Sequence, residues 1–390
     1  MDAYIVKGYR TAVAKAKKGA LKSVRPDDFA ADVIKHLVGS VNSLDVNEID
    51  DLIVGNAVPE AEQGMQMGRI ISLLSLSKEV PGFLVNRYCG SGLEALYIGA
   101  SRIHAGMANC IIAGGTESMT MVPMLGYKTA LNYKLSSQFP DYYSSMGITA
   151  EQVAKEYGIS RQAQDEFAFH SHQKAIRAID EGRFKDEIVP LNIEEIYLDA
   201  NEKRQVRSSV FDTDEGPRRD TSLEALAKLK PVFANGGSVT AGNSSQTSDG
   251  AAFLMIMSEK TLKKHNLEPI AQMKSFAAAG VEPRIMGIGP VKSIPKALEL
   301  SNLALQDIDQ IELNEAFAAQ VLAVTKELNL NPQKVNVNGG AIALGHPLGC
   351  SGAKLSVQLI HEMKKRQQKY GMVTACVGGG QGVSAIFEVF

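Results

Sequence analysis

The chain is poor in cysteine. It has four in 390 residues, at 89, 110, 350 and 376, with no CxxC pair and no regular framework. That excludes a disulfide scaffold and points to reduced thiols in a cytoplasmic-type compartment. Net charge is also low, at -2, which argues against a nucleic-acid binder. No apolar run approaches the length that crosses a bilayer, so a soluble protein without membrane contact is expected. The GxGxxG order is missing and no P-loop lysine follows any glycine cluster, so a nucleotide cofactor is a poor reading. Acids are absent between Asp2 and Asp27, where Lys7, Arg10, Lys15, Lys17, Lys18, Lys22 and Arg25 lie. A transit peptide has this charge pattern, but AYIV at 3–6 reads as a first strand and no h-region is present, so a basic segment of the fold is preferred.

What is present suits a large α/β protein. With 45% hydrophobic and 22% charged residues, the chain can bury a sizeable core in more than one unit. It also reads as internally duplicated. IDDLIVGN from Ile49 is echoed by IDQIELNE from Ile308, and CGSGLEALYIGASRIHAG from Cys89 by CSGAKLSVQLIHEMKK from Cys350. Each of the latter pair opens a helix with apolar residues at about 3.6 spacing. A strand ending in glycines follows each helix, NCIIAGG in the first half and MVTACVGGG in the second.

In the second half the glycines run directly into QGVSAIFEVF, while the matching DGAAFLMIMS begins only at Asp249. Residues 116–248 therefore read as an insertion, far longer than an ordinary connection. The expected units are a first half at 1–115 and 249–267, an inserted loop domain at 116–248, and a second half at 268–390. Within the insertion, Thr149 with Gln152 suggests a capping box, and the pattern through Val153, Tyr157 and Phe167 to Ile179 is helical.

Three glycine-rich segments carry the chemistry: NRYCGSG at 86–92, GGAIALGHPLGCSGA at 339–353 and ACVGGGQG at 375–382. Cys89, at a helix start, gains from the helix dipole as a thiolate nucleophile, although a lone buried cysteine is as readily a small hydrophobe. His346 is a natural base for it, on a loop expected to be more exposed than a helix core. A structural histidine remains open, as does a metal pair with Cys350 at i,i+4, for which no further ligand at zinc-like spacing exists. Cys376 reads as a second acid/base, with Gly378, Gly379 and Gly380 able to turn N–H groups into an oxyanion hole. Asn314 offers a neutral amide for a water or an enolate, or is a strand-end turn residue.

NRYCGSG, NEAF at 314–317, GGAIALGHPLGCSGA and CVGGGQG, in this order, closely resemble the thiolase family. The resemblance runs the length of the chain through VKGYRTAVAK, GGTESM, MGITAEQVAKEYGISRQAQDEFA, GRFKDEIVP and VTAGNSSQTSDGAA. It implies a thiolase fold of two duplicated α/β halves in a five-layered αβαβα arrangement, with the loop domain over the site. It also implies cleavage or formation of 3-ketoacyl-CoA with CoA and acetyl-CoA, without metal or redox cofactor, coenzyme A being a substrate. Carried over, Cys89 attacks the 3-keto carbon, His346 activates it, and Cys376 exchanges protons with the enolate and with the CoA thiol. His346 and a water on Asn314 hold the enolate oxygen, and the N–H groups of Cys89 and Gly378 hold the tetrahedral oxyanion. Arg218 suits the adenine or phosphate end of CoA and Ser245 the pantetheine arm, with Met146 and Phe317 lining its tunnel. The family also implies a homodimer or homotetramer, and for some members association with hydratase/dehydrogenase subunits. Ser145 stands where members restricted to acetoacetyl-CoA have histidine, which favours longer chains. A ketoacyl synthase would be expected to show a second histidine at the place of Cys376, and a non-catalytic carrier would not need Cys89, His346 and Cys376 together.

Overall fold

The structure, a computed structural model, describes residues 2–390. The first half contributes β1 (Ala3–Arg10), β2 (Ala14–Lys15), β3 (Asp51–Gly55), β4 (Gly82–Val85) and β5 (Cys110–Ser118). A hairpin, β6 (Leu191–Leu198) with β7 (Arg204–Phe211), precedes β8 (Ser248–Ser258). The second half holds β9 (Ala271–Gly280), β10 (Gln310–Leu313), β11 (Tyr370–Val377) and β12 (Gln381–Val389).

The strand pairing repeats. β1 runs antiparallel to β8, β8 antiparallel to β5, and β5 parallel to β3. In the same order β9 is antiparallel to β12, β12 antiparallel to β11, and β11 parallel to β10. Even the strand entries match. The Asp50 carboxylate accepts the N–H groups of Asn109 and Cys110 at 2.6 and 2.9 Å, and Asp309 accepts those of Lys369 and Tyr370 at 2.9 and 3.0 Å. The first half alone has an added edge strand, β4, parallel to β3. A single register contact, Ile5 with Ala271, joins the two sheets at their edges into one of ten strands.

Alternation along β8 shows what each face covers. Ala251, Phe253, Met255 and Met257 point into a core shared with helix Pro26–Gly39, while Ala252, Leu254 and Ile256 meet helices Ser91–His104 and Ser351–Arg366. Side chains two apart share a sheet face, so a strand buried on both faces is apolar throughout. The same two central helices pack on β11 and β12, whose other face takes Ile294 and Ala297 of helix Gly289–Ser301. Helix, sheet, paired helices, sheet and helix thus succeed one another.

The duplicated helices align differently from the cysteine echo. Short 3-10 turns at Tyr88–Gly90 and Leu348–Cys350 lead into helices starting at Ser91 and Ser351. Cys350 therefore takes the place of Gly90, and Gly349 that of Cys89. The expected capping box is also displaced: helix Met146–Tyr157 begins three residues earlier, and the Thr149 hydroxyl donates to the Met146 carbonyl at 2.7 Å inside it. The longer helical pattern is two helices, the second at Arg161–Asp180, separated where Gly158 takes φ +65.

The central helices cross through glycine. A Cβ on Gly352 would lie 2.4 Å from the Leu93 nitrogen, and one on Gly92 2.8 Å from the Ala353 nitrogen. Backbone at that distance cannot yield without separating the halves. Gly352→Ala is expected to lose about 3 kcal/mol of stability, seen as a lower urea midpoint; an unchanged midpoint would show that the helices separate freely.

β5 and β8 are neighbours, with Ser118 opposite Asp249, so the intervening chain leaves and returns at one end of the sheet. It folds over that end, which is where Cys89, Asn314, His346 and Cys376 are delivered. No helix among the described residues is long and apolar enough to cross a membrane.

Candidate active site

Cys89 sits in the 3-10 turn before its helix, next to Tyr88, whose φ of +43 is left-handed for a non-glycine residue. Such a conformation costs on the order of 1–2 kcal/mol and persists only when held. The Tyr88 N–H donates to Asn86 Oδ1 at 2.9 Å, and the Ser91 hydroxyl donates to the Tyr88 carbonyl at 2.6 Å. Arg87 ties the turn to the other half, donating to Glu94 at 2.6 Å and to Gln381 at 2.8 Å.

The Cys89 thiol is 9% exposed. Burial pushes it up to about 11, outweighing the N–H groups of Gly378 and of Cys89 itself, which point at the sulfur. This corrects the expectation of a thiolate favoured by the helix dipole: loss of water from the sulfur decides, and the resting group is a thiol. Cys376, the penultimate residue of β11, is raised by burial and by its proximity to Cys89. The strand-end glycines after it take φ +82 and +85 at Gly379 and Gly380, which turns the chain back into β12.

His346 follows Gly345, which has φ +92, and is buried at 4%, against the expectation of an exposed loop. Its Nδ1 lies 2.5 Å from the Ser351 hydroxyl, which donates its own proton to the Pro347 carbonyl at 2.9 Å. Ser351 can then only accept, so Nδ1 carries the ring hydrogen and Nε2 is left as the basic atom. Asn314, just past β10, donates from Nδ2 to that Nε2 at 3.3 Å. Burial and the nearby Lys354 charge lower the imidazole to about 4, so the thiol and the imidazole both rest neutral. Cys350 points instead into the core between the halves, where burial pushes it up to about 12. The partner of His346 on that turn is Ser351.

The lining residues converge on Cys376. Met146, Phe317, Ala150, Ala316, Val239 and Met286 form one apolar cluster with it. A Cβ on Gly378 would touch Met146 Sδ and Tyr88 Cδ2, each at 3.6 Å. Ser245 joins through its N–H, which donates to the Ala316 carbonyl at 2.9 Å. Arg218 lies apart on an exposed loop: its side chain pairs with Asp220 at 3.5 Å, and its N–H donates to Nδ1 of His172 at 3.2 Å.

Three contributors escaped the sequence reading. Ser351 was visible only as a helix start. Phe233 stacks edge-on against Phe317 at 6.2 Å, and KPVF gave no pattern to mark it. Glu117 lay within the quoted GGTESM without a role, and its carboxylate is buried beside Cys89.

A thiol at 9.0 in its ordinary state and about 11 here is ionised about a hundredfold less at neutral pH. Iodoacetamide modification of Cys89 in the free enzyme is therefore expected to rise about tenfold per pH unit from 7 to 10. A plateau reached by pH 8 would instead reveal a preformed thiolate–imidazolium pair.

Two buried thiols, a histidine whose Nε2 accepts from Asn314 and N–H groups directed at the Cys89 sulfur thus lie at one end of a duplicated αβαβα framework. The comparisons give the family. The model of the thiolase N-terminal domain matches residues 3–260 and that of the thiolase C-terminal domain residues 267–389. The chain is 52% identical to 3-ketoacyl-CoA thiolase of Bacillus subtilis, over 100% of this chain and 99% of that one. It is 45% identical to acetyl-CoA acetyltransferase of Escherichia coli, over 98% of each. The crystal structure of the Bacillus anthracis acetyl-CoA acetyltransferase superposes with a TM-score of 0.90 at 38% identity, covering 100% of this chain and 99% of that one. The chain belongs to the thiolase family and is an acyltransferase.

Proposed function

We propose that the enzyme cleaves 3-ketoacyl-CoA with CoA to give acyl-CoA and acetyl-CoA, through an acyl-cysteine on Cys89, in fatty-acid β-oxidation. The observation that carries this reading is the pairing of Cys89 and Cys376 in one buried site, with the Gly378 N–H directed at the Cys89 sulfur. In the first half-reaction Nε2 of His346 takes the Cys89 proton as sulfur attacks the 3-keto carbon. The C2–C3 bond breaks, and Cys376 gives its proton to the acetyl-CoA enolate carbon. In the second, the Cys376 thiolate takes the proton of the CoA thiol, which attacks the acyl thioester. Cys89 leaves as thiolate and recovers its proton from His346, so protons balance over the cycle.

In this scheme the N–H groups of Cys89 and Gly378 hold the tetrahedral oxyanion. Asn314, donating to Nε2, orients the imidazole toward the enolate oxygen. Met146, Phe317 and Ser245 border the pantetheine path, and Arg218 holds the nucleotide end, where guanidinium both stacks and pairs with phosphate. Coenzyme A is a substrate, and no metal or redox cofactor enters. Four free cysteines suit a reducing, cytoplasmic compartment. The open edge of β4, near the exposed Met65 and Leu73, suits assembly into a homodimer or homotetramer. Association with hydratase/dehydrogenase subunits is a further proposal from the resemblance.

The second reading, acetoacetyl-CoA thiolase, is favoured by the E. coli relative's name. Ser145, N-terminal to helix Met146–Tyr157 and exposed, supports longer chains. Specific activity across 3-ketoacyl-CoA lengths decides. Activity on six carbons and longer is expected, and activity confined to four would establish the second reading.

A further inference from the structure

Glu117 is the last residue but one of β5 and is 1% exposed. Its Oε2 accepts the backbone N–H groups of Ala57 and Gly349, both at 2.8 Å. Its Oε1 accepts Gln63 Nε2 at 2.8 Å and Asn56 Nδ2 at 3.1 Å. Four donors converge on the carboxylate and favour its charge, against the burial that raises its pKa.

The four donors come from the walls of the site. Ala57, Val58 and Leu348 share one apolar cluster with Cys89. Gly349 belongs to the same turn as Leu348 and leads to Ser351, which accepts the Nδ1 hydrogen of His346. One carboxylate therefore fastens the Cys89 wall in the first half to the His346 turn in the second. The duplication makes this specific. Matching Cys110 with Tyr370 through the Asp50 and Asp309 contacts places Val377 at the counterpart of Glu117. The repeated framework thus does without a carboxylate here, and one occurs only on the side that carries the nucleophile.

We infer that Glu117 is a positioning residue that locks the Cys89 and His346 loops together across the two halves and whose charge adds to burial in holding Cys89 protonated in the resting enzyme. This deepens the proposed acyl-transfer reading and rests on it for the role of Cys89. The titratable groups facing Cys89 are Glu117 from β5, Cys376 from β11 and, beyond Leu348 on the same loop, His346. Of these, Glu117 acts against the Cys89 thiolate, and Cys89 in turn raises Cys376. Holding the sulfur protonated shields it from stray electrophiles, and ionisation is then coupled to arrival of a substrate whose carbonyl carbon takes up the electron pair.

Glu117→Gln separates charge from shape. Its carbonyl oxygen can still accept from Ala57 and Gly349, and its new N–H₂ meets Asn56, whose buried Oδ1 has no partner in the native site. The measurement is iodoacetamide modification of Cys89 in the full-length protein between pH 7 and 11.5, which needs no thiolase turnover and so reads independently of the proposed reaction. The expected ratio of variant to native rate is about ten at pH 8 and up to pH 9, shrinking toward one by about pH 11.5 as both sulfurs ionise. Gln63→Ala removes a donor that favours the charged carboxylate and is expected to move the profile the same way, to lower pH, by a smaller amount. A ratio of one throughout, or a constant ratio above one that reports only a looser site, would overturn the inference in whichever variant folds. Loss of the fold in both would overturn it too, since Glu117 would then be only a strut between the halves.

Discussion

Cys89→Ser is expected to lower kcat by about ten-thousandfold or more and to leave no acyl adduct on the protein after incubation with acetyl-CoA. The size of the effect follows from the site. The native thiol is already held at about 11 by burial, so in the proposed reaction its ionisation depends on a proton transfer to His346. That imidazole is itself a weak base at about 4 in the resting state. The two shifts oppose ion-pair formation, and both originate in desolvation. A serine hydroxyl ionises several decades harder than a thiol, and in the same dry pocket no group present offsets that difference. Intact mass spectrometry after acetyl-CoA should show the acetyl increment on the native chain and none on the variant. Turnover within tenfold of the native enzyme would remove Cys89 from the nucleophile's place.

The outline of both fold and site could be read in the residues, and the limits of that reading are physical. IDDLIVGN and IDQIELNE announce equivalent strands because each needs an acid at its entry to satisfy two neighbouring N–H groups, and Asp50 and Asp309 do this. DGAAFLMIMS was identifiable as the displaced last strand because a strand buried on both faces is a continuous apolar run. The register of the helix starts was misread by one residue. Cysteine stands out as a marker, yet the geometry aligns on Ser91 and Ser351, whose hydroxyls bond back to the 3-10 turns.

At the candidate site, the close-packed turns at Cys89, His346 and Cys376 were legible because glycines crowd around them, and glycine marks where backbone must come close. Their ionisation was not recoverable. The helix dipole at Cys89 and the loop around His346 are local features, whereas burial depends on which distant chain covers them. Glu117 reaches Gly349 across 232 positions, and Phe233 meets Phe317 only after the chain between Ser118 and Ser248 has folded back over the sheet end. No period or local motif encodes a contact of that separation.

Cys376→Ser separates the second thiol from the first. Cys376 lies inside an apolar cluster with Met146 and Phe317, and its thiol is raised by burial and by Cys89. As a proton donor it suits a carbanion-like enolate, because a neutral thiol in a dry site gives up its proton only to a strong base next to it. Serine there keeps the shape but is a far weaker acid. The variant is therefore expected to acquire an acetyl group on Cys89 from acetyl-CoA slowly. Exchange of the acetyl methyl protons of acetyl-CoA with heavy water should fall by about a thousandfold or more. Mass spectrometry of the protein reads the first step and NMR of the thioester methyl the second, so one preparation gives both. Native rates of exchange and turnover would show that the enolate proton travels through another group. Acylation from acetyl-CoA is the reverse of the second half-reaction, so its slowing reports the proton that Cys376 gives to the departing CoA sulfur, and its complete loss would show that this proton has no other route.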